Sequence, residues 1–345
     1  MMNKTKILCT LGPASMNDKC IRILSDIGVD IFRINLSHTE ITDLEQQVLQ
    51  IRKNTDKAIC IDTEGAQIRT GKLKGTLKLE KDEIIEITIP KKSRPSTNIT
   101  LYPHEVYNLL EVSDVLSLDF DAASIRITEK HLDGFKAKVL SSGEVGQNKA
   151  VTSKRPIKLP PLTEKDKSAI EIGREMNIDY IALSFASSAE DLVALRELTN
   201  QDTQLIAKIE SIEGLQSLEE ILENSQAILI DRGDLGREAP IESIPLIQKK
   251  IIKTANDAST PVFVATNLLE SMVTKQQPTR AEVNDVVNTI IDGANGLVLA
   301  AETAIGSYPT DCVDMISRLI SYLEIHSSTD SLLELSSTKT ALMDK

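Results

Sequence analysis

Short apolar runs rich in Ile, Val and Leu alternate with amphipathic runs along nearly all of this 345-residue chain. The apolar runs fall at Lys6–Leu11, Ile31–Asn35, Ala58–Asp62, Tyr180–Ser184, Leu205–Ile209, Ala227–Ile230, Pro261–Ala265 and Gly296–Leu299. Between them, apolar residues recur at helical spacing over Asp18–Ile27, Thr42–Lys53, Thr163–Met176, Ala189–Leu198, Ile212–Leu222, Pro245–Asn256, Arg280–Ile291 and Cys312–Tyr322. A strand that is apolar at almost every position must be covered on both faces, as in a parallel sheet wrapped by helices. Eight strand-helix repeats of this kind predict an α/β fold, a closed (β/α)8 TIM barrel. Asn17 or Ser15 before the first helix, Thr163 with Asp166 and Thr279 with Glu282 supply helix-start signals.

One interval breaks the alternation. Between Gly71 and Lys158 the pattern changes to short alternating strands, at Thr76–Leu79, Ile84–Ile89, Asp114–Leu118, Ser124–Ile127 and Ala137–Leu140, with turns at Ser141-Ser142-Gly143 and Gly146. This predicts a small β domain inserted after barrel strand 3 and placed to act as a lid. The expected division is barrel over 1–70, inserted domain over 71–157, barrel again over 158–327 and a polar, Ser/Thr-rich tail over 328–345.

The formal net charge of −12 argues against a nucleic-acid partner, because phosphate backbones need a basic face; the KKSR run at 91–94 reads as a solvated loop. Cys9, Cys20, Cys60 and Cys312 show no CxxC spacing and read as buried free thiols of a reducing compartment. No run approaches a membrane span or a signal peptide, so a cytoplasmic protein with no membrane partner is expected.

Chemistry concentrates between Gln204 and Glu238. Two strands separated by an amphipathic run both end in charge: Lys208 and Glu210 on the first, Asp231, Arg232 and Asp234 on the second, with Gly233 and Gly236 at the second turn. Ligands bind at the carboxyl ends of parallel strands. Glu210 and Asp234 are hard oxygen donors suited to Mg²⁺ or Mn²⁺, cations that keep several waters and need few protein carboxylates. Solvated strand ends also carry charge without any such role.

The runs TKILCTLGPAS (5–15), IFRINLSH (31–38), IDTEGAQIRTG (61–71), IAKIE (206–210), DRGDLGRE (231–238), PTRAE (278–282) and AAETAIGSYP (300–309) resemble those of pyruvate kinases, in that family's order and spacing. The resemblance implies Mg²⁺-dependent phosphoryl transfer from phosphoenolpyruvate to ADP or another acceptor, giving pyruvate. It implies Glu210 and Asp234 as ligands of Mg²⁺ or Mn²⁺, and Lys208 as the cation beside the transferring phosphoryl. Arg33 and Arg69 would reach phosphate oxygens, and His38 the nucleotide. Gly233, Asp234 and Thr266 would cradle the substrate carboxylate, with Thr266 also near the carbon that gains a proton. Asn35, Ser37, Asp62 and Thr63 would form a K⁺ site, although Asn35 and Ser37 taken alone read as loop hydrogen-bonders. Glu302 would brace the site, whereas Arg232 reads as an ion-pair residue.

The chain departs from the family pattern near this site. Glu64 and Gln67 stand where the family has lysine and glutamate, and Gln67 leaves the need for K⁺ open. Asp231 replaces a small apolar residue, Ala300-Ala301 replaces Ser-Gly, Asn267 replaces glutamine and Asp119-Phe120-Asp121 replaces Asp-Asp-Gly. Two other readings therefore stay open: lysis or aldol chemistry on pyruvate, favoured by Glu64 and Asp231, and a non-catalytic metabolite-binding homologue. Because the sequence stops soon after the eighth helix, where the family carries an allosteric domain, a homodimer without sugar-phosphate activation is expected.

Overall fold

The computed structural model describes residues 5–65, 67–90, 98–119, 122–155 and 157–326. The KKSR run, Ala66, Phe120, Asp121 and the tail from 327 onward lie outside the described residues. The chain forms two compact units, an inserted one over Glu64–Glu164 and a barrel built from the segments on either side.

The barrel strands are Lys6–Thr10, Ile31–Asn35, Ala58–Asp62, Tyr180–Leu183, Gln204–Ile209, Ala227–Asp231, Val262–Ala265 and Gly296–Leu299. Each pairs in parallel with its neighbours in chain order, and the eighth closes on the first through Lys6↔Gly296 to Cys9↔Leu299. The interior is packed by Leu8, Ile31, Cys60, Ala182, Ile206, Ala227, Leu229, Phe263, Ala265 and Val298. Successive strand residues face opposite sides, so inward positions recur every second residue. Two steps beyond Leu8, Ile31, Cys60, Ala182, Ile206 and Leu229 come Thr10, Arg33, Asp62, Ser184, Lys208 and Asp231. The strand period alone therefore sets a polar layer on an aliphatic floor at the carboxyl end of the barrel.

The outer helices begin where side chains can satisfy their first N–H groups. Asn17 accepts from the Cys20 N–H, and Thr279 with Glu282 forms a reciprocal capping box. The run expected as one helix over Ile212–Leu222 is instead two, Ile212–Gln216 and Leu218–Asn224. Ser217 leaves the helical region at the break, with φ −93° and ψ 15°. No helix among the described residues is long and apolar enough to cross a membrane. All four cysteines are buried and free.

The inserted unit is antiparallel. Its five-stranded sheet runs, in spatial order, Val151–Ser153, Val115–Leu118, Ala123–His131, Gly134–Ser141 and Ile84–Thr88. Two smaller ladders join Gly143–Val145 to Leu77–Leu79 and Arg69–Thr70 to Leu101–Tyr102. Inside this core the Tyr107 hydroxyl donates to the Thr88 carbonyl and accepts the Leu101 N–H, each at 2.7 Å, while its ring stacks on Phe135.

Candidate active site

Lys208 is the centre of the polar layer. Its ammonium is buried and lies 2.9 Å from Glu210 Oε1, 3.2 Å from Asp62 Oδ1 and 3.0 Å from the Ser184 hydroxyl. Burial favours the neutral amine, but the two carboxylates outweigh it and hold the group charged, well above the usual lysine range. Arg33 meets the same Asp62 from the other side: Nε donates at 2.7 Å, Nη2 makes a close ion pair, and Nη1 donates to the Thr10 hydroxyl at 2.8 Å. Burial would raise the Asp62 carboxyl, yet Arg33 and Lys208 together keep it below the ordinary carboxylate range. These bonds use three of the five guanidinium donors of Arg33.

Glu210 has the opposite balance. Its Oε2 accepts the Phe185 N–H at 2.8 Å and its Oε1 faces Lys208. Burial pushes its pKa up to about 8; Lys208 opposes the shift, and the carboxylates of Asp231 and Asp234 reinforce it. One ligand oxygen from each of Glu210, Asp231 and Asp234 lies within 4.8 Å of the others. A donor set made only of carboxylate oxygens fits a hard divalent cation. Asp234 is also paired with Arg237 at 2.6 Å.

The next layer is shaped by the segment that follows the sixth barrel strand. Arg232–Glu238 is a seven-residue helix capped by Asp231, whose Oδ1 accepts the Gly233 and Asp234 N–H groups at 3.1 and 3.4 Å. Two glycines in so short a segment hide its helical character from propensity. At Gly233 a Cβ would come within 2.9 Å of Thr266 Cγ2, so the absent side chain is what lets the two loops approach. Thr266 takes φ +77°, a conformation that costs a β-branched residue roughly 1–3 kcal/mol. Arg232 offsets that cost: its Nε and Nη2 donate to the Thr266 carbonyl at 3.1 and 2.5 Å, and its Nη1 is anchored on Asp285 at 2.7 Å. The Thr266 hydroxyl donates to Asp231 Oδ1 at 2.6 Å.

Of the residues singled out from sequence, Arg33, Asp62, Lys208 and Glu210 therefore form one bonded cluster, and Asp234, Gly233 and Thr266 gather around Asp231. Thr63 joins the first group through Ser184, whose N–H donates to its Oγ1 at 2.9 Å and whose hydroxyl donates to its carbonyl at 2.7 Å. Asn35 Oδ1 accepts the Ser37 N–H at 3.0 Å, which caps the short turn Leu36–His38. Arg69 belongs to the inserted unit, where it donates to the Asn148 carbonyl at 3.2 Å. Glu302 braces the last strand against the loop after the seventh, accepting the Ala300 and Leu269 N–H groups at 2.9 and 3.2 Å. Sequence reasoning missed Ser184 and Thr10. A polar side chain at the carboxyl end of an otherwise apolar barrel strand was the available signal.

Comparison with known proteins identifies the family. The family model described as pyruvate kinase, barrel domain, matches residues 2–313. A pyruvate kinase of Agrobacterium vitis is 37% identical over 339 residues, covering 96% of this chain and 72% of the relative. Those of Dictyostelium discoideum and Thermotoga maritima are 36% and 35% identical, covering 97% and 92% of this chain and 70% of each relative. A family model over residues 2–313, together with relatives aligned over more than nine-tenths of this chain, means that this chain belongs to the pyruvate kinase family.

Proposed function

We propose that this chain transfers the phosphoryl group of phosphoenolpyruvate to ADP, with Glu210 and Asp234 as protein ligands of Mg²⁺ or Mn²⁺. The observation that carries the proposal is the buried Lys208 ammonium, held charged between Asp62 and Glu210 at the mouth of the barrel. In the reaction the bond from phosphorus to the enol oxygen breaks, a bond to the terminal phosphate oxygen of ADP forms, and the enolate takes up a proton to become pyruvate. Such a transfer needs positioning and positive charge around the moving group. Lys208 and the remaining donors of Arg33 supply fixed positive charge without reorganisation, an effect often worth several kcal/mol. When bound, the divalent cation adds further charge neutralisation at the phosphoryl and enolate oxygens.

Thr266, Gly233 and Asp234 offer a hydroxyl and two N–H donors to the substrate carboxylate. The Thr266 hydroxyl is a proton-relay group for the enolate carbon. It is too weak an acid to act without water behind it. Asn35, Ser37, Asp62 and Thr63 carry oxygens of the kind K⁺ takes; in this reading Asp62 also serves as counter-ion to Arg33 and Lys208. A coupled assay of pyruvate formation from phosphoenolpyruvate and ADP with Mg²⁺, with and without K⁺, tests the proposal. Turnover that vanishes in Lys208→Met supports it. Absence of turnover in the wild type, with no phosphoryl transfer detected by ³¹P NMR to other acceptors, refutes it.

A further inference from the structure

Asp231 sits where several donors converge. Its Oδ1 accepts the Thr266 hydroxyl at 2.6 Å and lies 3.1 and 3.4 Å from the Gly233 and Asp234 N–H groups. These are the donors that the proposed function assigns to the carboxylate of phosphoenolpyruvate. One side-chain oxygen thus holds a set of donors suited to an anion, and the family pattern, with a small apolar residue at this position, would leave them open. Resting on the proposed function, we infer that Asp231 is a specificity-determining residue whose carboxylate competes with the substrate carboxylate for Thr266, Gly233 and Asp234.

The physical ground is the exclusion of like charges from one site. Two carboxylates sharing a set of donors cannot both remain ionised at low cost. An incoming carboxylate must therefore turn the Asp231 side chain out of its three hydrogen bonds before it can take them over. The charge of Asp231 also reaches beyond its own contacts: it adds to the fields that act on Arg33, Lys208 and Glu210. Phosphoenolpyruvate is the ligand most affected, because ADP brings no carboxylate to this place. The simpler role, a cap for the helix Arg232–Glu238, makes a different prediction, since Asn caps as well as Asp.

Asp231→Asn separates the two roles, because it keeps the shape and the cap and removes the charge. Calorimetric titration of phosphoenolpyruvate into wild type, Asp231→Asn and Asp231→Ala, each saturated with Mn²⁺, is the test. The Asn variant is expected to bind phosphoenolpyruvate ~10-fold more tightly and the Ala variant at least as tightly, given the strength of hydrogen bonds to a charged acceptor. Affinity for ADP, measured in the same way, is expected to stay within about twofold, a change of ~0.4 kcal/mol. An Asn variant that binds phosphoenolpyruvate no more tightly than wild type overturns the role of Asp231 and leaves the proposed function standing. Failure of all three proteins to bind phosphoenolpyruvate overturns the proposed function, and this inference with it.

Discussion

Replacing Lys208 by Met keeps the length of the side chain and removes its charge. The ammonium stands 2.9 Å from Glu210 and 3.2 Å from Asp62. At an effective dielectric of ~20, each contact at about 3 Å carries on the order of 5 kcal/mol of gross attraction. Most of that is offset by the cost of taking the charges out of water. The net loss is then the one expected when a buried ion pair is left with a single partner, about 3–5 kcal/mol. Asp62 keeps Arg33, whereas Glu210 is left with the Phe185 N–H and faces Asp231 and Asp234. Most of the instability therefore belongs to Glu210, and removing its charge in Lys208→Met/Glu210→Gln should restore much of the stability. Activity should not return, because the fixed positive charge at the phosphoryl is still missing; a loss of ~10²–10³-fold or more is expected in both variants. Urea unfolding at pH 9 without divalent ions, above the Glu210 pKa of about 8 so that its charge is present, followed by circular dichroism, measures the first effect, and pyruvate formation measures the second. A single variant within ~0.5 kcal/mol of wild type, the range of an ordinary surface change, refutes the reasoning. So does a double variant less stable than either single one.

The raised pKa of Glu210, about 8 against an ordinary 4.5, sets a pH dependence. The folded metal-free protein holds this proton more tightly than the unfolded chain does. The stabilisation is thus complete below the unfolded value and is lost as pH rises through about 8. Unfolding midpoints measured from pH 5 to 8.5 should fall for this group without metal, and Mn²⁺ should flatten the fall by taking the place of the proton; parallel curves with and without Mn²⁺ would contradict it. Gly233→Ala should lower kcat/KM by roughly tenfold by pushing Thr266 aside, while the gain in helix propensity, up to ~1 kcal/mol, keeps stability close to wild type; steady-state kinetics beside urea unfolding would show the split. Ser184→Ala removes a hydroxyl that links Lys208, Asp62 and Thr63, and should cost about 1–3 kcal/mol of stability together with activity. Thr279→Ala, which breaks a capping box on the outer face, should cost ~1 kcal/mol and leave KM unchanged.

The barrel was legible because each strand is a nearly unbroken apolar run and each helix carries its own start signal. Lys208 and Glu210 were legible for the same reason: charge at the end of such a run has to face the barrel mouth. What escaped the sequence reading depends on contacts between distant segments. Ser184 is ordinary in its own strand and matters only because Asp62, Thr63 and Lys208 arrive from other strands. The helix Arg232–Glu238 contains glycines that argue against it locally, and the Asp231 cap sustains it. The division of the helix after the fifth strand turns on the backbone of Ser217, which a side-chain pattern does not encode. Thr266 lies in a backbone region that no propensity predicts for a β-branched residue, and it is Arg232, anchored on Asp285, that holds it there.

The central claim is that Lys208, Glu210 and Asp234 serve one divalent cation at the carboxyl end of the barrel. Anomalous diffraction from crystals grown with Mn²⁺ tests it most directly. The account predicts an ordered peak bonded to oxygens of both Glu210 and Asp234 at roughly 2.0–2.3 Å, the range for small hard cations, with Lys208 alongside and unbonded to it. A Mn²⁺ peak at some other group, with Glu210 still turned toward Lys208 and Phe185, would contradict it.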